Sequence, residues 1–125
     1  MSDQDTTLQE LKERMAQFVQ ERDWGQFHTP KNLSMSIAIE AAELMEHFQW
    51  LTVDESTNLN VEALADIGEE LADIVIYSLS LANVLGLDLS ATVLDKMAKN
   101  IRKYPKEKVR GKSHKYTYYQ KDDEG

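Results

Sequence analysis

Residues 61 to 85, VEALADIGEELADIVIYSLSLANVL, contain no proline and repeat apolar side chains every three or four positions, with Gly86 directly after them. That period is the signature of a helix, and a glycine just past the last periodic residue is a stop signal. The rest of the chain is built in the same way. Leu8, Leu11, Met15, Phe18 and Val19 mark a first helix over about Thr7 to Trp24, closed by Gly25. After the connector GQFHTPK, a second helix is expected from about Asn32, a plausible N-cap behind Pro30, to about Leu51. The polar TVDESTNLN reads as a loop. Asp88 can cap a further helix that ends at Tyr104-Pro105. No strand signal occurs, so the expected fold is an all-α four-helix bundle over residues 1–104. Residues 105–125, charged and tyrosine-rich without periodicity, are expected to form an extended, partly flexible arm.

Composition narrows the function classes. The 125 residues make one domain's worth of chain, and the absence of cysteine excludes disulfides and thiolate metal sites. A net charge of -8 argues against binding the nucleic-acid backbone. The polar N-terminus lacks an export signal, and the longest apolar run, IVIYSLSLANVLGL, is too short and too polar to span a bilayer. A soluble, cytoplasmic protein with neither nucleic-acid nor membrane partners is therefore expected.

The acids on these helices carry the chemistry. On the second helix Leu33, Ile37, Leu44, Phe48 and Leu51 form one stripe at about 100° per residue, bordered by Glu40, Glu43 and His47. Ala38, Ala42 and Met45 make the far side apolar too, so Glu40 is expected to be partly buried, and these three residues are candidates for a subunit interface. On the 61–85 helix Leu64, Ile67, Leu71, Ile74, Val75, Leu81, Ala82 and Leu85 form a broad core face, with Asp66, Glu70, Asp73 and Tyr77 along its edge. Glu69 points about 100° away from Glu70 and reads as solvated. Acids three apart have Cβ atoms about 5 to 6 Å apart, close enough to share a cation. If the two helices pack antiparallel, Glu40, Glu43, Glu70 and Asp73 converge. Burying several anions together is costly unless a cation joins them, and oxygen-only ligands favour Mg²⁺, with Mn²⁺ possible, over zinc. One such pair is most often a solvated face; two pairs, both flanked by aliphatic residues, weaken that reading.

The order Glu40-Ala-Ala-Glu43, twenty-six residues, then Glu70-Leu-Ala-Asp73 resembles the E-x-x-E…E-x-x-D signature of the all-α nucleoside triphosphate pyrophosphohydrolases, the MazG-like superfamily. Five blocks, ERDWGQFHTPKNL (21–33), FQW (48–50), EELADIVIYSL (69–79), KMAKNIRKYP (96–105) and RGKSHKYT (110–117), resemble the dCTP pyrophosphatase branch in the same order. The resemblance implies hydrolysis of nucleoside triphosphates between the α and β phosphates, with dCTP or a modified dCTP as substrate and nucleotide-pool house-cleaning as the role. It implies Mg²⁺ held by Glu40, Glu43, Glu70 and Asp73, the same four residues forming the catalytic set. Glu43 is nominated as the base, although nothing in the sequence separates it from the other three. Around the nucleobase the resemblance points to Trp24, Trp50 and Tyr77, each of which also reads as ordinary packing. His28 of the connector joins this set against the usual reading of a loop histidine as exposed, and Phe27 stays open. Met15 stands where relatives carry a helix-1 histidine near the base, which weakens the case for cytosine.

Positive charge for the phosphates comes locally from the fourth helix, where the resemblance singles out Lys96 and Asn100. A basic helix C-terminus facing its own dipole explains Arg102 and Lys103 but not the mid-helix Lys96. The basic run KEKVRGKSHKY is read as a solvated tail in preference to a lid. The resemblance also implies a homo-oligomer, here a tetramer made as a dimer of dimers. Two rival classes remain. A di-iron bundle needs E-x-x-H twice, and no histidine here has Glu three residues before it. A non-catalytic helical interaction module, with acids that only solvate or specify an interface, remains the alternative.

Overall fold

A computed structural model describes residues 1–113 and contains six helices: α1 (Leu8–Glu21), α2 (Pro30–Glu46), α3 (Val53–Ser56), α4 (Val61–Leu85), α5 (Leu89–Lys103) and α6 (Lys106–Val109). The chain divides at Leu87 into two compact units, the first holding α1 to α4 and the second α5 and α6. The four long helices are those expected from periodicity, and no strand occurs among the described residues. Among those residues no single helix is long and apolar enough to cross a membrane.

The differences from expectation lie at helix ends, where local hydrogen bonding outweighs periodicity. The N-cap of α2 is Thr29 rather than Asn32: its hydroxyl accepts from the Asn32 amide at 3.3 Å, and Pro30 takes the first turn, where a missing N–H matters least. The Asn32 side chain instead donates to the Phe27 carbonyl at 3.0 Å and ties the connector to the helix. α2 ends at Glu46 with His47 as its cap, short of Leu51. α1 stops before Gly25 because Asp23 turns left-handed (φ 52°) and the Trp24 amide donates back to the Val19 carbonyl at 3.0 Å. α3 arises inside the expected loop from a capping box in which Thr52 and Glu55 satisfy each other's backbone amides. α6 is one turn within the expected arm, beginning after Pro105.

Gly86 behaves as its position suggests. It adopts φ 66° and ψ 34°, and the Leu87 amide donates to the Ala82 carbonyl at 2.9 Å. A Cβ there would meet nothing within 4 Å, so substitution strains only the backbone. Gly86→Ala is expected to lower stability by about 1 kcal/mol, read as a lower thermal midpoint with unchanged helical content.

Within the first unit α4 packs against α2 most extensively and against α1 on another side. Both pairings are antiparallel. His47 and Leu51 of the α2 end line one cavity with Ala63 and Ile67, while Glu40, earlier on α2, feels Asp73, later on α4. On the other side Lys12 Nζ donates to the Leu87 carbonyl at 2.7 Å and Asn83 Nδ2 donates to the Lys12 carbonyl at 2.9 Å, whereas Phe18 and Trp24 share a cavity with Asp73 and Tyr77.

Leu33, Leu79, Ala82 and Ser80 are buried where the start of α2 meets the second half of α4. The broad core face expected on α4 is only partly covered: Leu64, Leu71, Val75 and Leu85 are 42–59% exposed. Two neighbouring helices cover two stripes of a helix that is apolar over a wider arc. Ala38, Ala42 and Met45 lie exposed on α2, off the stripe that contains Leu33.

Candidate active site

Antiparallel packing converts two local spacings into one cluster. Carboxylate oxygens of Glu40, Glu43 and Glu70 lie within 4.8 Å of one another, all three side chains half-buried. Asp73 stands outside that closest group yet near enough for its charge to act on Glu40. The pKa of Glu40 is raised to about 7, first by a hydrogen bond shared with Glu43, then by burial and by the charges of Glu43, Asp73 and Glu70. Its Oε2 is shielded from solvent and lacks a hydrogen-bond partner. A carboxyl so placed holds its proton near neutrality until a cation replaces it. The expectation that Glu40 is partly buried is met.

This donor set fits a divalent cation on its own chemistry: hard oxygen ligands, mutual repulsion relieved by positive charge, and an orphaned Glu40 oxygen needing a partner. A contact absent from the sequence reading sits beside it. His47, the α2 cap, brings Nε2 to 3.6 Å from Glu70 Oε1. Its position four residues after Glu43 was the available signal, but whether it met the acid stripe of α4 depended on the helix rotation.

A cavity of about 450 Å³ adjoins the acids through Asp73 and is walled by Tyr77, Trp24, Phe18, His28 and Arg14. The bend at Asp23 delivers Trp24, whose ring stacks on His28 with centroids 6.3 Å apart and planes 30° apart. Phe18 meets Trp24 edge-on at 5.6 Å and 75°. Trp24, His28, Tyr77 and Asp73 are thus brought to one cavity. Trp50 is not among its lining residues; it follows the end of α2 and is 86% exposed. Phe27 is 60% exposed. Lys96 and Asn100 are exposed on α5, in the second unit. The basic run 106–116 continues beyond the described residues.

Fold and site together define an all-α protein with a carboxylate group suited to a divalent metal beside an aromatic-walled cavity. The model of the MazG-like family matches residues 35–118, and the chain belongs to that family. It is 42% identical over 113 residues to dCTP pyrophosphatase 1 of Homo sapiens, covering 89% of this chain and 66% of that protein. It is 39% identical over 113 residues to dCTP pyrophosphatase 1 of Mus musculus, with the same coverage of 89% and 66%. The chain therefore spans about two thirds of the length of these curated relatives. A solved pyrophosphatase from Archaeoglobus fulgidus superposes with a TM-score of 0.75 at 40% identity, covering 84% of this chain and 98% of that one.

Proposed function

We propose that this protein is a nucleoside triphosphate pyrophosphohydrolase that cleaves between the α and β phosphates, with dCTP or a modified dCTP as its preferred substrate and Mg²⁺ as its ion, Mn²⁺ substituting. The observation that carries the proposal is the approach of Glu40, Glu43 and Glu70 to within 4.8 Å, next to a cavity that joins Asp73 to Tyr77 and Trp24. Acids and aromatics in that arrangement suit a ligand with an anionic tail and a flat apolar head. The relatives bearing the name dCTP pyrophosphatase 1 support the choice of substrate.

In the proposed reaction a water oxygen bonds to phosphorus in line as the bridging phosphoryl bond breaks, giving nucleoside monophosphate, pyrophosphate and a proton. A divalent cation held by Glu40, Glu43, Glu70 and Asp73 would neutralise the polyphosphate and acidify water beside it. Glu43 is the nominated acceptor of the water's proton. Trp24, His28 and Tyr77 face the base, and Trp50, Lys96 and Asn100 complete the substrate set in the assembled protein. The assembly we propose is a homotetramer, a dimer of dimers, supported by the exposed Ile39, Met45, Leu64 and Leu71. Residues 1–104 form the catalytic domain and 105–125 an appended arm. The setting is cytoplasmic house-cleaning of the nucleotide pool.

A panel of common and modified nucleoside triphosphates with Mg²⁺, scored for pyrophosphate against orthophosphate, tests the proposal. The expected result is monophosphate plus pyrophosphate, with dCTP or a 5-substituted dCTP among the best substrates. Orthophosphate release, or no turnover of any nucleotide, contradicts it.

A further inference from the structure

Phe18 and Trp24 line the aromatic cavity beside Asp73 and Tyr77, yet neither ring is fixed by burial: they are 39% and 42% exposed. Half-exposed rings around a helix end, with the left-handed turn at Asp23 between them, keep several rotamers open unless a neighbour outside the core closes them. Arg22 is that neighbour for Phe18, although it is not among the residues that line the cavity. It sits one turn beyond Phe18, at the cap of α1. Its guanidinium carbon lies 3.8 Å from the Phe18 ring centroid, over the ring, and its Nη1 donates to the Phe18 carbonyl at 3.1 Å.

Arginine suits this double contact. A planar guanidinium can cover a ring with its face while an N–H on its edge reaches a carbonyl, which the compact ammonium of lysine cannot do at the same time. The ion pair with Glu21, at 3.8 Å between two exposed side chains, adds little. Phe18 in turn meets Trp24 edge-on with centroids 5.6 Å apart, and Trp24 stacks on His28 with planes 30° apart. Capping the end of α1 accounts for the hydrogen bond to the carbonyl. It does not account for the guanidinium laid over the ring, which extends order from the helix cap through Phe18 to Trp24.

We infer that Arg22 is a positioning residue for nucleotide binding: it fixes Phe18, and Phe18 fixes the Trp24 ring that receives the flat head of the substrate. The inference rests on the proposed nucleotide activity. Stacking on Trp24 is the same in the ground state and in the transition state, so the effect of Arg22 falls on KM and leaves kcat in place.

Arg22→Gln, Phe18→Leu and their combination test it on the full chain. Without nucleotide, on a Trp50→Phe background that leaves Trp24 as the one tryptophan, the anisotropy decay of its fluorescence is expected to show faster ring motion in Arg22→Gln at unchanged helical content. With Mg²⁺ and dCTP, and Trp50 intact, Arg22→Gln is expected to raise KM about fivefold with kcat within about twofold. In the Phe18→Leu background the same change is expected to add nothing, because that background keeps the carbonyl that Arg22 caps and removes the ring that it covers. An unchanged KM, an unchanged Trp24 decay, or an equal cost with and without the Phe18 ring makes Arg22 a helix cap alone and overturns the inference. If no nucleotide is turned over, the activity proposal fails by itself. Calorimetry with dCMP then decides the positioning: weaker binding by Arg22→Gln, by about the same factor, upholds it, and equal binding by both chains, or none by either, overturns it.

Discussion

Glu70→Gln lowers pyrophosphate release on the order of a thousandfold while the helical content and cooperative unfolding persist. The substitution preserves volume and removes one charge from a group whose oxygens approach within 4.8 Å. Fewer repelling charges favour the folded chain, so the unfolding temperature is expected to hold or rise even as turnover is lost. Glu40→Gln behaves in the same way. A non-catalytic interaction module would tolerate both changes with no catalytic consequence, so steady-state assays beside thermal scans separate the two. Full turnover by either variant removes the cluster from the mechanism.

The second large effect is a stability that depends jointly on pH and on divalent cation. The pKa of Glu40 stands at about 7 in the folded chain against an ordinary 4.5. Between those values the folded state binds more protons than the unfolded one, so stability declines as pH rises. The contribution is complete below 4.5 and is lost as pH passes through about 7. With chelator present, the unfolding temperature is expected to fall across that window, and Glu40→Gln should flatten the slope. Mg²⁺ competes with the proton, so its stabilisation grows with pH; at a hundred times its dissociation constant it adds about 2.7 kcal/mol. Thermal scans from pH 4 to 8, with and without Mg²⁺, read both effects. No response to Mg²⁺ at pH 8 would contradict the cation site.

The legibility of this fold varied by length scale. The helix over 61–85 was readable from its period and its Gly86 stop, which act within a few positions, while the Asn60 cap lay hidden in the polar run before it. The capping box at Thr52 and Glu55 was equally local, yet the polar residues around it suggested a loop and hid a single turn. Asp23 ended α1 in place of Gly25 because a left-handed residue closes a helix wherever the returning amide finds its carbonyl. On the site, Glu40 and Glu43 share a face by spacing alone. Their meeting with Glu70 was conditional on antiparallel packing.

By itself the sequence determined the number of long helices, the two acid pairs three residues apart and the scarcity of breakers, because each follows from backbone geometry repeated locally. Only the tertiary structure decided that Glu70 reaches the α2 pair while Asp73 also turns to the aromatic cavity, that His47 stands over Glu70, and that Ser80 is sealed without a partner when Ser78 is not. Those outcomes depend on the rotation and register of one helix against another. Helical period orients a side chain relative to its own axis, and only packing between side chains distant in sequence orients the axes.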